Sequence, residues 1–216
     1  MTTLQRDQKN CGVCGNPVEV TFIGSTNEFG SKDLDLRPPE MMRSTYVYWT
    51  TRCPHCGYCA EDIATGGRNA VKVTQSDEYQ QQLHDKSMPE LANTFLCESM
   101  VLDAKRQTKA AGFACLHAAW ACDDDNMPDA AKSCRLKAVA LFEPLMAAEK
   151  TILDDSGADF ILLADLLRRA GAFDFAAAAC EKGLEKSTNP NIRRIIGFQH
   201  HLCGIREVAP KNWTAF

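Results

Sequence analysis

The chain has 216 residues, 45% of them hydrophobic and 24% charged, with a formal net charge of −4. That composition suits a globular protein of one large or two small domains, without low-complexity blocks. Basic and acidic residues balance over residues 1–75 and the excess acid lies beyond them; no clustered basic patch is present, which argues against nucleic-acid binding.

The first ten residues, MTTLQRDQKN, are polar and hold no apolar signal-peptide core. No run of about 18 apolar residues is available to span a bilayer. The sequence therefore reads as a soluble cytoplasmic chain without membrane association. It carries 11 cysteines. In a reducing compartment such a count points to metal binding or burial rather than disulfides, and an odd number cannot pair completely.

Over residues 1–75, Val18–Ile23 (VEVTFI) alternates with Val18, Val20 and Phe22 on one face, which predicts a strand. The next stretch, about 25–43, is polar and turn-prone and is expected to be an inserted loop, with Pro38 and Pro39 holding it extended or turned. Ser44–Arg52 (STYVYWTTR) is rich in β-branched and aromatic residues and predicts a second strand. From about residue 76 the chain becomes rich in Ala, Leu and Glu, with helical periodicity. Helices are expected at about 77–85, 89–106, 109–123, 128–149, 157–170, 173–186 and 190–206. Pro144 should kink or end the fourth of these. Ser87 with Glu90 fits a capping box; Thr108, Asn126 and Asn189 read as helix-start signals. The expected fold class is α+β: a small N-terminal β zinc ribbon over 1–75, then an all-α tetratricopeptide-like domain over 76–216.

The chemistry is carried by two C-x-x-C-G units, Cys11-Gly-Val-Cys14-Gly and Cys53-Pro-His-Cys56-Gly. Zinc favours four tetrahedral ligands and is well served by thiolates. Two intervening residues let one tight turn aim both sulfurs at one ion, and Gly15 and Gly57 supply the backbone freedom that such turns need. Cys11, Cys14, Cys53 and Cys56 are thus the expected metal ligands, holding one structural zinc per chain. Four ligands leave no open position for a substrate. The same knuckles are similar to those of rubredoxin, which implies an alternative: one redox-active iron and electron transfer. Cys59 reads as a neighbour packed near the site and His55 as a solvent-facing residue between two ligands.

In the second half, Leu163, Ala164, Leu167, Gly171, Phe173, Ala176, Gly183 and Pro190 resemble a tetratricopeptide repeat, with a weaker copy over Ala119, Cys122, Ala131 and Ala138. Such repeats stack and often bind peptides or helices on one face. Cys97, Cys115, Cys122, Cys134, Cys180 and Cys203 fall in predicted helices and read as core residues. Asp123, Asp124 and Asp125 read as a solvated helix–helix loop. Arg37, Glu40 and Arg43, in DLDLRPPEMMRST, are candidates either for contacting a partner or for bracing the insert through ion pairs. No nucleophile elbow, phosphate loop or H-E-x-x-H helix is present, so no catalytic residues are assigned.

Taken together, CGVCG, then DLDLRPPEMMRSTYVYWTTRCPHCGYCAEDI, then helices ending in a tetratricopeptide-like unit resembles a bacterial family of unknown function. Its members join an N-terminal zinc-ribbon-like region to tetratricopeptide-like helices. The resemblance supports Cys11, Cys14, Cys53 and Cys56 as ligands and implies no reaction. The expected function is a non-enzymatic zinc-binding adaptor with a protein or peptide partner. An enzyme with a site between the two parts would need a polar pocket holding perturbed acid or base groups.

Overall fold

The computed structural model describes residues 1–153 and 155–214. The chain is α+β: short antiparallel hairpins carrying a cysteine cluster, followed by a helical region. Strands β1 (Thr3–Asn10) and β2 (Pro17–Ser25) form the first hairpin, with Asn10 opposite Pro17. Val18 and Val20 are buried as the alternation requires, but Phe22, expected on the same face, is 40% exposed. Strand β1 has no counterpart in the sequence reading. It is polar and exposed along nearly its whole length, so its order comes from the ladder with β2 and not from a buried face.

The inserted stretch is tied down rather than looping freely. Strands β3 (Glu28–Phe29) and β4 (Glu40–Met41) pair across it. Between them, residues 32–34 meet the C-terminal segment: Leu34 N–H donates to the Lys211 carbonyl at 2.8 Å and Trp213 N–H to the Lys32 carbonyl at 3.0 Å. Leu34, Asp35 and Arg37 are buried.

The strand expected over Ser44–Arg52 is a correction. Arg43–Tyr48 is a short 3-10 helix, and only Thr51–Arg52 (β5) is extended, paired with β6 (Cys59–Ala60). Ser44 and Thr45 donate their hydroxyls to the carbonyls of Met41 and Met42, a local alternative to a sheet ladder. Tyr46 and Trp49 then pack toward the helices around Trp120.

Helix α1 (Arg68–Thr74) is short, has no side-chain cap and was not expected. The remaining helices lie where periodicity places them: α2 (Asp77–Leu83), α3 (Glu90–Ala104), α4 (Thr108–Asp124), α5 (Pro128–Ala147), α6 (Ser156–Arg169), α7 (Phe173–Lys186) and α8 (Pro190–Gly204). Pro144 sits in the last turn of α5, which ends three residues later. Asn189 caps α8 by accepting the Asn191 N–H at 3.0 Å. The Ser87 capping box does not form: Ser87 bonds the Asp85 carboxylate and Pro89 occupies the cap position. Helices α3, α4 and α5 pack in succession, as do α6, α7 and α8. Small residues let them approach; a Cβ on Gly112 would lie 2.3 Å from the Phe142 ring.

Two apolar clusters result. The larger fills the helical region from Leu34 and Tyr46 through Trp120 and Phe142 to Ile196. The smaller joins Cys11, Cys53 and Cys56 to Tyr58, Ile63, Tyr79 and Val101. Among the described residues, no helix is long and apolar enough to cross a membrane.

Candidate metal centre

Each C-x-x-C unit is the turn of a hairpin, flanked by the pair Asn10–Pro17 in one case and Arg52–Cys59 in the other. The two turns share one backbone pattern. Cys11 N–H donates to the Asn16 carbonyl at 2.8 Å and Cys53 N–H to the Tyr58 carbonyl at 2.7 Å. Gly15 and Gly57 N–H groups donate to the carbonyls of Cys11 and Cys53 at 2.8 and 2.9 Å. Both glycines have positive φ, 75° and 73°, where a side chain would be strained. Two unrelated stretches of sequence thus build the same knuckle and present it to each other.

The four sulfurs of Cys11, Cys14, Cys53 and Cys56 lie within 4.8 Å of one another. Cys11 and Cys56 Sγ are 3.7 Å apart, as are Cys14 and Cys53 Sγ. A tetrahedron with metal–sulfur bonds of about 2.3 Å has edges of about 3.8 Å. These two separations match that edge, the set as a whole is compact enough to share one ion, and no disulfide joins these residues. The surroundings also suit thiolates. Val13 N–H points at Cys11 Sγ (3.5 Å) and the Asn16 carboxamide at Cys14 Sγ (3.4 Å). Backbone N–H groups of His55 and Cys56 serve Cys53, and that of Tyr58 serves Cys56. N–H donors aimed at sulfur stabilise its negative charge. Burial works in the opposite sense: it pushes the Cys53 and Cys56 thiols up, whereas at Cys14 it is outweighed by the Asn16 backbone and side-chain donors, which hold the thiol at about 6. A divalent cation among the four sulfurs would relieve the cost of burying them as thiolates.

The centre is supported from below by groups that the motif alone does not reveal. Gly12 and Gly66 cross at van der Waals distance: Gly12 N–H donates to the Ile63 carbonyl at 2.9 Å, and a Cβ on Gly66 would lie 1.7 Å from the Gly12 carbonyl oxygen. Tyr79 of α2 donates its hydroxyl to the Gly57 carbonyl at 2.9 Å and accepts the Cys59 N–H at 3.1 Å. Lys9 and Asp62 are paired at 2.9 Å. Cys59 is fully buried, donates to the Gly57 carbonyl at 3.3 Å and lies outside the four-sulfur group; His55 is exposed. The Gly66-Gly67 pair was the one signal for the crossing; Tyr79 had none.

Arg37, Glu40 and Arg43 line a separate depression of about 450 Å³ with Tyr46, Pro89 and Asp124. Both guanidiniums are engaged within the chain. Arg37 donates to both Asp124 oxygens, at 2.7 and 2.6 Å, and Arg43 to Asp33 at 2.6 Å and the Pro38 carbonyl at 2.8 Å. Glu40 is exposed. Asp124 and Asp125 are exposed at the end of α4, as a solvated run requires, but Asp123 is partly buried and pairs with Arg135 and Arg169, and Asp124 also meets Arg37 and Tyr46. Cys115 contacts the Ser99 hydroxyl at 3.1 Å while His117 stacks among Trp49, Phe95 and Trp120, so the two diverge as their spacing requires.

A cleft of about 570 Å³ separates the second knuckle from α3 and α4, lined among others by Trp49, Cys59, Glu98 and His117. Burial pushes Glu98 up to about 7 and His117 down to about 4. The Glu98 carboxylate accepts the Glu61 N–H at 2.7 Å. Comparison of the chain with protein-family models, with curated proteins and with solved structures finds no match.

Proposed function

We propose that this chain is a zinc-dependent adaptor: one zinc ion held by Cys11, Cys14, Cys53 and Cys56 fixes the two knuckles against the helices, and the helical region docks a protein partner. The observation that carries the metal reading is the pair of matched knuckles bringing four sulfurs within 4.8 Å of one another, two of the separations being 3.7 Å. Zinc bound there supplies folding energy and no open coordination position. The resemblance around the second knuckle to a bacterial zinc-ribbon-like family agrees with that role. The docking reading draws on a groove of about 400 Å³ lined by Met146, Phe160, Leu163, Leu167 and Phe175. Phe175 is 71% exposed, and an aromatic anchor at a groove is a common contact point for a partner.

Metal analysis with a visible absorption spectrum, on protein purified without added metal, tests the reading. One zinc per chain and no visible band is the expected result. One iron with a red thiolate charge-transfer spectrum would replace it by the rubredoxin-like electron-transfer reading, and protein folded without metal would remove both. Docking is tested by cross-linking in cells, where Phe175→Ser should lose a partner that the native chain captures.

A further inference from the structure

Five carboxylates are buried among the described residues: Asp33, Asp35, Glu98, Asp159 and Asp165. Four of them have strong partners. Asp33 pairs with Arg43, Asp35 with Arg169 and Asp165 with Arg168, and Asp159 accepts two backbone N–H groups, from Ile152 and Leu153. Glu98 is the exception. It accepts one backbone N–H, from Glu61 at 2.7 Å, with the Thr50 side chain close by. No ion pair among the described residues includes it. A carboxylate only 7% exposed is unfavourable as an anion without a cation beside it. Burial accordingly pushes Glu98 up to about 7.

Glu98 does face open space. It lines the cleft of about 570 Å³ between the second knuckle and helices α3 and α4, a size within the range of small-molecule pockets, about 300–1,000 Å³. Val101, Leu102, Phe113 and Ala114 give this cleft apolar walls, and Trp49 and His117 add aromatic ones. The His117 ring packs against Trp49, Phe95 and Trp120, and burial holds it down at about 4, so near neutral pH it adds no positive charge. The other charged groups of the lining are Glu61, Asp62 and Lys105. Glu61 is exposed, Asp62 is engaged by Lys9 at 2.9 Å, and Lys105 donates to the Thr65 carbonyl at 3.3 Å. Three acids against one base make the lining acidic. An anionic ligand would be repelled there, and a neutral one would leave Glu98 as it stands.

We infer that the cleft binds a small organic ammonium ion, a protonated amine that pairs with the Glu98 carboxylate while its apolar body lies against Val101, Leu102 and Phe113. An ammonium donates charge-assisted hydrogen bonds to a carboxylate, and the face of an indole such as that of Trp49 attracts the same cation. Pairing needs Glu98 ionised, so the carboxyl proton passes to solvent as the amine enters. The inference uses neither the metal nor the groove at Phe175.

The test is a calorimetric titration of the full-length, metal-loaded chain with phenethylammonium and with cyclohexylmethylammonium. Each should saturate with a dissociation constant of about 0.1–1 mM, ordinary for ligands of so few atoms. Phenethyl alcohol, which lacks the charge, and hydrocinnamate, which reverses it, should bind at least about tenfold more weakly. Glu98→Gln keeps an acceptor for the Glu61 N–H and should weaken both amines by about 10–100-fold, with phenethyl alcohol unchanged. Ala110 is exposed on α4 at the edge of the cleft, so Ala110→Phe should fill the space and abolish binding in a folded chain. Glu40→Gln, at an exposed acid elsewhere, should change nothing. Amine binding that survives Glu98→Gln, hydrocinnamate bound as tightly as the amines, or no saturation by either amine would overturn the inference. So would Nα-acetyl-lysine amide binding as tightly as the free amines, which would assign the cleft to a lysine of a partner protein. Calorimetry does not depend on which metal the knuckles hold, so failure here and failure of the zinc reading are separate results.

Discussion

Asp35 and Arg169, 134 residues apart in sequence, form a buried ion pair that ties the N-terminal insert to the last turn of α6. Asp35 also accepts the Trp120 indole N–H at 3.0 Å and the Arg37 backbone N–H at 3.2 Å, and Arg169 reaches on to Asp123 at 2.7 Å. A buried charge is tolerable when its hydrogen bonds are complete, and removing one member leaves the others stranded. Asp35→Ala should destabilise the fold by about 3–5 kcal/mol, measured by urea unfolding at neutral pH. Burial raises the Asp35 carboxyl but Arg169 and Arg135 outweigh it, so the group is held below the usual carboxylate range. Its contribution is present above the ordinary value of 3.8 and is lost as the pH falls through the lower folded one. A variant as stable as the native chain would show that the pair only fills space.

Glu98 and His117 should oppose each other as the pH changes. Glu98 holds its proton to about 7 in the folded chain against 4.5 ordinarily, so stability present below 4.5 is lost as the pH rises through 7. His117, pushed down from 6.5 to about 4, contributes stability above 6.5 that is lost as the pH falls through 4. Glu98→Gln retains an acceptor for the Glu61 N–H and removes only the first effect. The variant should gain on the native chain as the pH rises from 5 to 8, by up to about 3 kcal/mol. A difference between the two that does not change with pH would place the Glu98 titration elsewhere.

The crossing of Gly12 and Gly66 leaves no room for a methyl group on either side. Gly66→Ala should push the first knuckle away from the second and weaken metal binding by about 10–100-fold, as loss of a supporting contact around a metal does. Competition with a chromogenic chelator measures it. Gly15→Ala, at a positive φ with open space around it, is the control: it should cost about 1 kcal/mol of stability with a smaller change in affinity.

Removing the metal should loosen one of the two apolar clusters and spare the other. Cys11, Cys53 and Cys56 belong to the cluster with Tyr58 and Tyr79, whereas the helices from α4 onward pack in a separate one. Chelation should therefore change the near-ultraviolet signal of those tyrosines and expose amides around residues 51–66 to hydrogen exchange, while most of the far-ultraviolet helical signal persists. Wholesale loss of helix on chelation would show that the clusters fold as one.

The sequence reading succeeded where one local rule dominates. Repetition of C-x-x-C-G located the four cysteines that cluster, because two sulfurs from one turn need that spacing whatever surrounds them. Helical periodicity located α2 to α8, because each must bury one face. It failed where distant partners decide. Strand β1 has no apolar alternation and is extended only because β2 lies beside it. The β-branched run at 44–52 became a 3-10 turn because its hydroxyls capture nearby carbonyls and its aromatic rings reach the helices. The engagement of Asp123 by Arg135 and Arg169 was not legible, because Arg169 lies far from it in sequence, although Asp124 and Asp125 are exposed as expected.

The joining of residues 32–34 to 211–213 has a consequence for synthesis. During synthesis, Asp35 and the two knuckles are made well before Arg169, which neutralises Asp35, and before Lys211, whose carbonyl accepts the Leu34 N–H. The early segment must wait, holding a buried-to-be carboxylate and an apolar edge in water, until residues 169 and 211–213 have left the exit tunnel. Cys11 to Cys56 are all made within that interval, so under the proposed metal reading an ion at the knuckles would order the early segment before the helices that finish its core exist.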